Sequence, residues 1–248
     1  MHKEYKHIVN GANTAVLFIH GILGTPNHFK DFIPLVPEEY SIHNLLLDGH
    51  GRGVKEFSHT SMKTWKNQVE TAVNELLKTH KQIIIAAHSM GTLFALQQAY
   101  NRPEKIKYMF LLATPLKLGI KFKMFSNSMK LYFNKIKSDD TEGLAYKAAC
   151  GIKQDKKFWL YLGWIPRFFE LFKEIKFTRT LLKNISVPSF AFQSKNDETV
   201  SHKSIDFIKD NALIKYNILQ KSSHHYYFES DYDILLKKFN DIFTKPLN

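Results

Sequence analysis

Three stretches of this 248-residue chain carry side chains whose types and spacing suit nucleophilic chemistry. The first is Ala86-Ala87-His88-Ser89-Met90-Gly91, where an apolar run from Gln82 ends at a serine and a helical run from Thr92 to Asn101 follows until Arg102-Pro103. A strand that turns sharply into a helix at a serine lifts the hydroxyl clear of the sheet but crowds the backbone, so small residues are needed two positions before and after it. Gly91 meets that need, and Ala87 meets it to within one methyl group. A serine hydroxyl is a weak nucleophile at neutral pH and needs a base, itself oriented by an acid. Asp197 follows the strand-like run Pro188 to Gln193, and His224, in Ser222-Ser223-His224-His225, follows the apolar run Ile214 to Leu219. Both positions are expected in turns at the carboxyl ends of strands. The third stretch, His20-Gly21-Ile22-Leu23-Gly24-Thr25-Pro26, follows the buried-strand pattern Ala15 to Ile19. Gly21 lets the backbone come close, so the Ile22 amide can face a developing oxyanion together with the Met90 amide. Taken singly, Ser89 also fits a helix-capping serine, and His20-Gly21 a plain turn.

The chain order Ser89, Asp197, His224 is that of α/β-hydrolases and not of chymotrypsin-like or subtilisin-like enzymes. On Val16-Leu17-Phe18-Ile19-His20-Gly21-Ile22-Leu23-Gly24, Leu47-Asp48-Gly49-His50-Gly51, Ala86 to Gly91, Asn196-Asp197-Glu198-Thr199-Val200 and Ser223-His224 with Glu229 behind it, the chain resembles a serine carboxylesterase or monoacylglycerol-lipase-like member of that superfamily. The resemblance covers most of the length outside a middle segment. It implies Ser89 as nucleophile, Asp197 as acid, His224 as base, and Ile22 and Met90 as oxyanion donors. Two positions depart from the family pattern: Ala87 stands for the first glycine of the serine motif, and Ser223 for the glycine before the base. The acidic residue that the family tends to place five positions after the base is Glu229, an offset that favours His224 over His225. Serine at the nucleophile position argues against a haloalkane dehalogenase, which uses a carboxylate there.

These residues need a sheet to hold them. Met62, Trp65, Val69, Ala72, Val73, Leu76 and Leu77 have helical spacing and lie between the strand-like runs Ile42 to Leu47 and Gln82 to Ala86, which makes a βαβ unit. The expected fold is α/β, a mainly parallel sheet flanked by helices. Only Tyr5 to Val9 precedes as a further strand, so fewer than eight strands are expected, and a final helix should dock through Ile234, Leu235, Phe239, Ile242 and Phe243. The core is expected in two parts, residues 1–115 and 187–248, around a helical cap at 116–186.

That middle segment is rich in aromatics, from Phe122 to Phe177, and carries fifteen Lys or Arg against six Asp or Glu, hence +9 of the chain's formal +12. The favoured reading is a helical layer whose aromatics pack on the sheet and whose lysines are solvated. An anionic lipid surface is the second reading. Nucleic acid is disfavoured because no recognised binding motif accompanies the charge. No cofactor is expected, and the histidines show no metal-ligand spacing. Cys150, the single cysteine, reads as an apolar filler. The first residues lack an apolar signal core and no run reaches the ~20 apolar residues of a membrane span, so a cytoplasmic enzyme is expected. The substrate implied is a small carboxylic ester with an apolar acyl chain. The alternatives are an acyltransferase or thioesterase using the same residues, and, less favoured, a non-catalytic binding protein.

Overall fold

The structure, a computed structural model, describes residues 2–244. One seven-stranded sheet organises it, built from β1 (Tyr5–His7), β2 (Thr14–Ile19), β3 (Ser41–Leu45), β4 (Gln82–His88), β5 (Ile106–Leu112), β6 (Ser189–Ser194) and β7 (Ile214–Leu219), in the order β1-β3-β2-β4-β5-β6-β7. Only the short β1 pairs antiparallel, against β3; every other pairing is parallel. Parallel neighbours require crossovers, and helices supply them. After α1 (Val54–His59), α2 (Met62–Leu77) returns the chain to β4, and α3 (Met90–Asn101) returns it to β5.

The sheet is buried on both faces, and period-two alternation divides its side chains between two cores. Ala15, Leu17, Ile19, Ile83, Ile85 and Ala87 face the layer holding α2 and α3. Val16, Phe18, Ile84, Ala86, Phe110 and Phe192 face the other side. There Phe29, Phe32 and the last helix, α7 (Glu229–Thr244), cover them through Leu235, Phe239 and Ile242. The docking face of α7 is narrower than expected, since Ile234 is exposed.

Between β5 and β6 the chain forms α4 (Phe122–Tyr132), α5 (Thr141–Ala149), a 3-10 turn (Phe158–Trp164) and α6 (Ile165–Leu181). Here the expectation of packed aromatics needs correcting. Trp164 is buried and Phe168 partly so, but Phe122, Phe125, Phe133, Phe158, Trp159, Phe169, Phe172 and Phe177 are exposed. In α6 the reason is steric: Leu171 and Ile175 already occupy the inward positions, and one helix has only one inward stripe, which leaves Phe169, Phe172 and Phe177 outside.

Strand order fixes where chemistry can occur. The chain enters at β2, moves outward to β3, then jumps to β4 on the other side of β2, so the loops after β2 and β4 leave the same sheet edge in opposite senses. Such a switch point opens a crevice at the carboxyl ends of the strands. Ile19 at the end of β2 pairs with Ala87 near the end of β4, which sets the loop His20–Pro26 beside Ser89.

Candidate active site

Ser89 lies between β4 and α3 with φ 50° and ψ −125°, a region that residues other than glycine rarely occupy. The surroundings enforce this strain. The Ser89 amide donates to Leu112 O (2.8 Å), and its carbonyl accepts from the Thr92 amide (2.9 Å) and the Thr92 hydroxyl (2.6 Å). α3 begins so close to β2 that a Cβ on Gly91 would lie 2.3 Å from Ile19 O. Gly91→Ala should therefore cost about 3 kcal/mol or more, because backbone and not a flexible side chain blocks the methyl group. An unchanged urea midpoint would show that the elbow can relax.

Gly21 makes the facing contact. A Cβ there would lie 2.8 Å from the Ser89 Cβ, so only glycine lets this loop close on the serine. Leu47 N–H donates to His20 Nε2 (3.1 Å), which leaves the proton on Nδ1, and Nδ1 donates to Gly21 O (2.9 Å). Because a peptide is planar, fixing the Gly21 carbonyl aims the Ile22 amide the opposite way. Neither that amide nor Met90's donates to another group among the described residues. Burial lowers the pKa of His20 to about 4, so it stays neutral in this role. His50, from the Asp48-Gly49-His50-Gly51 loop, is buried behind it with ring centroids 4.7 Å apart.

Asp197 and His224 come from the loops after β6 and β7. His224 Nδ1 and Asp197 Oδ2 are 2.8 Å apart, and both side chains are buried. The second carboxylate oxygen of Asp197 accepts the amides of Thr199 and Val200, each at 2.7 Å, so the acid cannot swing away. Burial works to lower the His224 pKa, but the Asp197 charge and hydrogen bond, with Glu198 adding to them, raise it above the ordinary 6.5. No direct hydrogen bond joins the Ser89 hydroxyl to His224 among the described residues.

Several residues that position His224 were not evident from the sequence. Glu198 accepts the His224 amide (3.1 Å), and His88 Nε2 donates to the His224 carbonyl (3.1 Å), which ties His224 to the residue preceding Ser89. Glu229 makes no such contact among the described residues. It opens α7 and is exposed, whereas Asp231, two positions on and turned inward, accepts from the Lys221 and Ser222 amides and the Ser222 hydroxyl. Helical geometry, and not the offset from the base, decides which carboxylate braces the loop. The histidines also gather more than their spacing suggests. His28, His88 and His225 each place a ring nitrogen within 4.8 Å of the others, a set able to hold a transition metal, with His28 stacked on His88 at 3.9 Å. Burial lowers all three pKa values, to about 3 for His28.

An apolar cavity of about 370 Å³ opens against the same loop, lined by Leu23, Tyr132, Tyr146, Cys150, Phe158 and Trp164 among others. The Tyr146 ring lies 5.6 Å from that of His225, the neighbour of His224 in the chain. A larger groove, about 680 Å³, lies by β3 and α2 and contains none of the site residues.

Residues 14–149 match the model of the alpha/beta hydrolase fold family. The chain belongs to the α/β-hydrolase family. Among curated relatives it is 30% identical over 111 residues to an uncharacterized hydrolase, YugF, of Bacillus subtilis, covering 44% of this chain and 40% of that protein. It is also 30% identical over 117 residues to the probable lysophospholipase BODYGUARD 4 of Arabidopsis thaliana, covering 46% and 27%. The match thus spans less than half the length of either relative. Among solved structures, one from work on the metagenome-derived lipolytic enzymes LipS and LipT superposes with a TM-score of 0.73 at 17% identity over 98% of each chain. The monoacylglycerol lipase of Paleococcus ferrophilus gives 0.69 at 14% identity, over 98% of this chain and 99% of that one. At such identities the likeness speaks to the fold alone.

Proposed function

We propose that this chain is a serine hydrolase of carboxylic esters with an apolar acyl chain, acting through an acyl-enzyme. The observation that carries the reading is the buried Asp197–His224 pair, set at the sheet edge where Ser89 is held in a strained turn. In the proposed reaction His224 Nε2 takes the proton of the Ser89 hydroxyl as Oγ bonds to the ester carbonyl carbon. The carbonyl oxygen becomes an oxyanion facing the Ile22 and Met90 amides. Collapse breaks the bond to the alkoxy group, which leaves as the alcohol with the proton from His224. Water, deprotonated by His224, then attacks the acyl carbon and releases the acid, restoring Ser89. The insertion between β5 and β6 serves as the cap, and its cavity beside Leu23 takes the acyl chain. The name of one sequence relative, a probable lysophospholipase, points toward the same substrate class.

A fluorophosphonate should label Ser89 alone, and mass-mapped labelling at any other residue would overturn the assignment. Because the working base is neutral and its pKa is raised, the rate should fall on acidification through an apparent pKa above 6.5. Asp197→Asn removes the charge that raises it, so this limb should move to lower pH while kcat drops about 10³- to 10⁴-fold. An acid limb at the same pH in both proteins would exclude His224 as the group observed. Across p-nitrophenyl esters, Tyr146→Phe should keep the chain-length optimum, while Trp164→Ala, which enlarges the cavity, should shift it to longer chains. An unmoved optimum would place the acyl group elsewhere.

A further inference from the structure

α4 presents an apolar face to solvent. Phe122, Phe125, Met129 and Phe133 fall at steps of three and four residues, hence on one face, and that face points to solvent: Phe122 is 84% exposed and the other three about half, while Asn127 on the opposite face is buried. The 3-10 turn and the start of α6 continue the pattern with Phe158, Trp159, Leu162 and Phe169, all more than half exposed. The two segments are neighbours, since Met129 and Tyr132 from one and Phe158 and Tyr161 from the other line the mouth of the same cavity. Apolar surface of this extent is not left to water without a partner.

Charge indicates which partner. The +9 of residues 116–186 is the charge left after all six acids are counted, and four of those acids are already engaged: Asp140 with Lys130, Glu142 with Lys123, Glu170 with Arg167 and Glu174 with Lys66. Lys156 and Lys157, exposed at the start of the aromatic turn, and Lys137, exposed beyond the end of α4, have no ion-pair partner among the described residues. A second copy of the chain would bring the same positive charge to the contact and be repelled. An anionic bilayer offers the opposite charge over an apolar interior, the combination that exposed aromatics flanked by lysines suit. No helix among the described residues is long and apolar enough to cross a membrane, so the contact is peripheral.

We propose that α4, the 158–164 turn and the start of α6 form a docking face for an anionic lipid surface, against which the cavity mouth opens. The docking itself stands on this surface; only its purpose, delivery of a lipid ester to the cavity, rests on the ester-hydrolase reading. It reverses the sequence-based preference for solvated lysines over packed aromatics, because the aromatics are not packed.

The chain carries its own reporter. Of its three tryptophans, Trp65 and Trp164 are buried and Trp159 lies in the docking face. With vesicles of phosphatidylcholine containing about a third phosphatidylglycerol at ~0.15 M salt, the full chain should sediment with the vesicles, and brominated lipid should quench Trp159 emission; about 1 M salt should weaken the binding. Phe122→Ser with Phe169→Ser, or Lys156→Glu with Lys157→Glu, should weaken binding about tenfold or more, and both pairs should keep turnover of a soluble short-chain ester. Equal affinity for pure phosphatidylcholine, or no binding, would overturn the proposal. So would self-association, seen by ultracentrifugation without vesicle binding and abolished by the aromatic substitutions. Vesicle binding by a chain that hydrolyses no ester would leave docking intact and remove the ester-hydrolase reading instead.

Discussion

Alanine at Ser89 or at His224 should each lower turnover of a soluble ester by about 10³- to 10⁶-fold, and the double variant should lose no more than the worse of the two. The non-additivity is the informative part. If His224 acts only by taking the Ser89 proton, it has nothing to do once that hydroxyl is gone, and the oxyanion donors supply the residual rate. His225 is the control. It is adjacent in sequence, but among the described residues its Nδ1 has no hydrogen-bond partner and no carboxylate orients it, its ring packing against His88 and Tyr146 instead. His225→Ala should keep most activity. Single losses that multiply in the double variant, or a His225→Ala loss as deep as that of His224→Ala, would dismantle the assignment.

The parts of this molecule that can be read in its sequence are those fixed locally. Continuous apolar runs ending in glycine or serine turns mark β2, β4 and β6, the helical spacing of Met62 to Leu77 marks α2, and a serine squeezed between a strand and a helix points to Ser89. What the sequence conceals is set by distant contacts. Nothing near His88 shows that its ring will reach the His224 carbonyl 136 positions on, or that Asp231 and not Glu229 will brace the loop. The exposed face of α4 was hidden for a different reason. A stripe of Phe122, Phe125 and Met129 has the same period whether it faces a core or a lipid surface, so periodicity gives the helix but not the direction in which its apolar face points.

Acid should unfold this protein well before carboxylate protonation alone would require it. His20, His50 and His88 are buried almost completely, and burial lowers each pKa below 6.5, to about 4 for His20. The unfolded chain binds these protons at about 6.5 and the folded one does not, so the stability is fully present above that pH and is lost as pH falls toward the folded values. Each such proton is worth about 1.4 kcal/mol per pH unit, so three give a slope of about 4 kcal/mol per unit below pH 6. His28 and His225, which keep some solvent contact, act in the same direction. His224, with its raised pKa, acts oppositely: it stabilises the folded state at low pH and loses that contribution as pH rises through its folded value. Against the 5–15 kcal/mol typical of a domain, the folded state should give way between roughly pH 5.5 and 4. Urea titrations from pH 8 to 5 should show the midpoint falling steeply below pH 6, with some three or more protons taken up on unfolding. His50→Gln, which removes one of these groups without adding a charge, should flatten the slope by about a third, even if it lowers stability at pH 8. A midpoint independent of pH down to 5 would mean that these imidazoles reach water, and the buried histidine layer behind Ser89 would have to be redrawn.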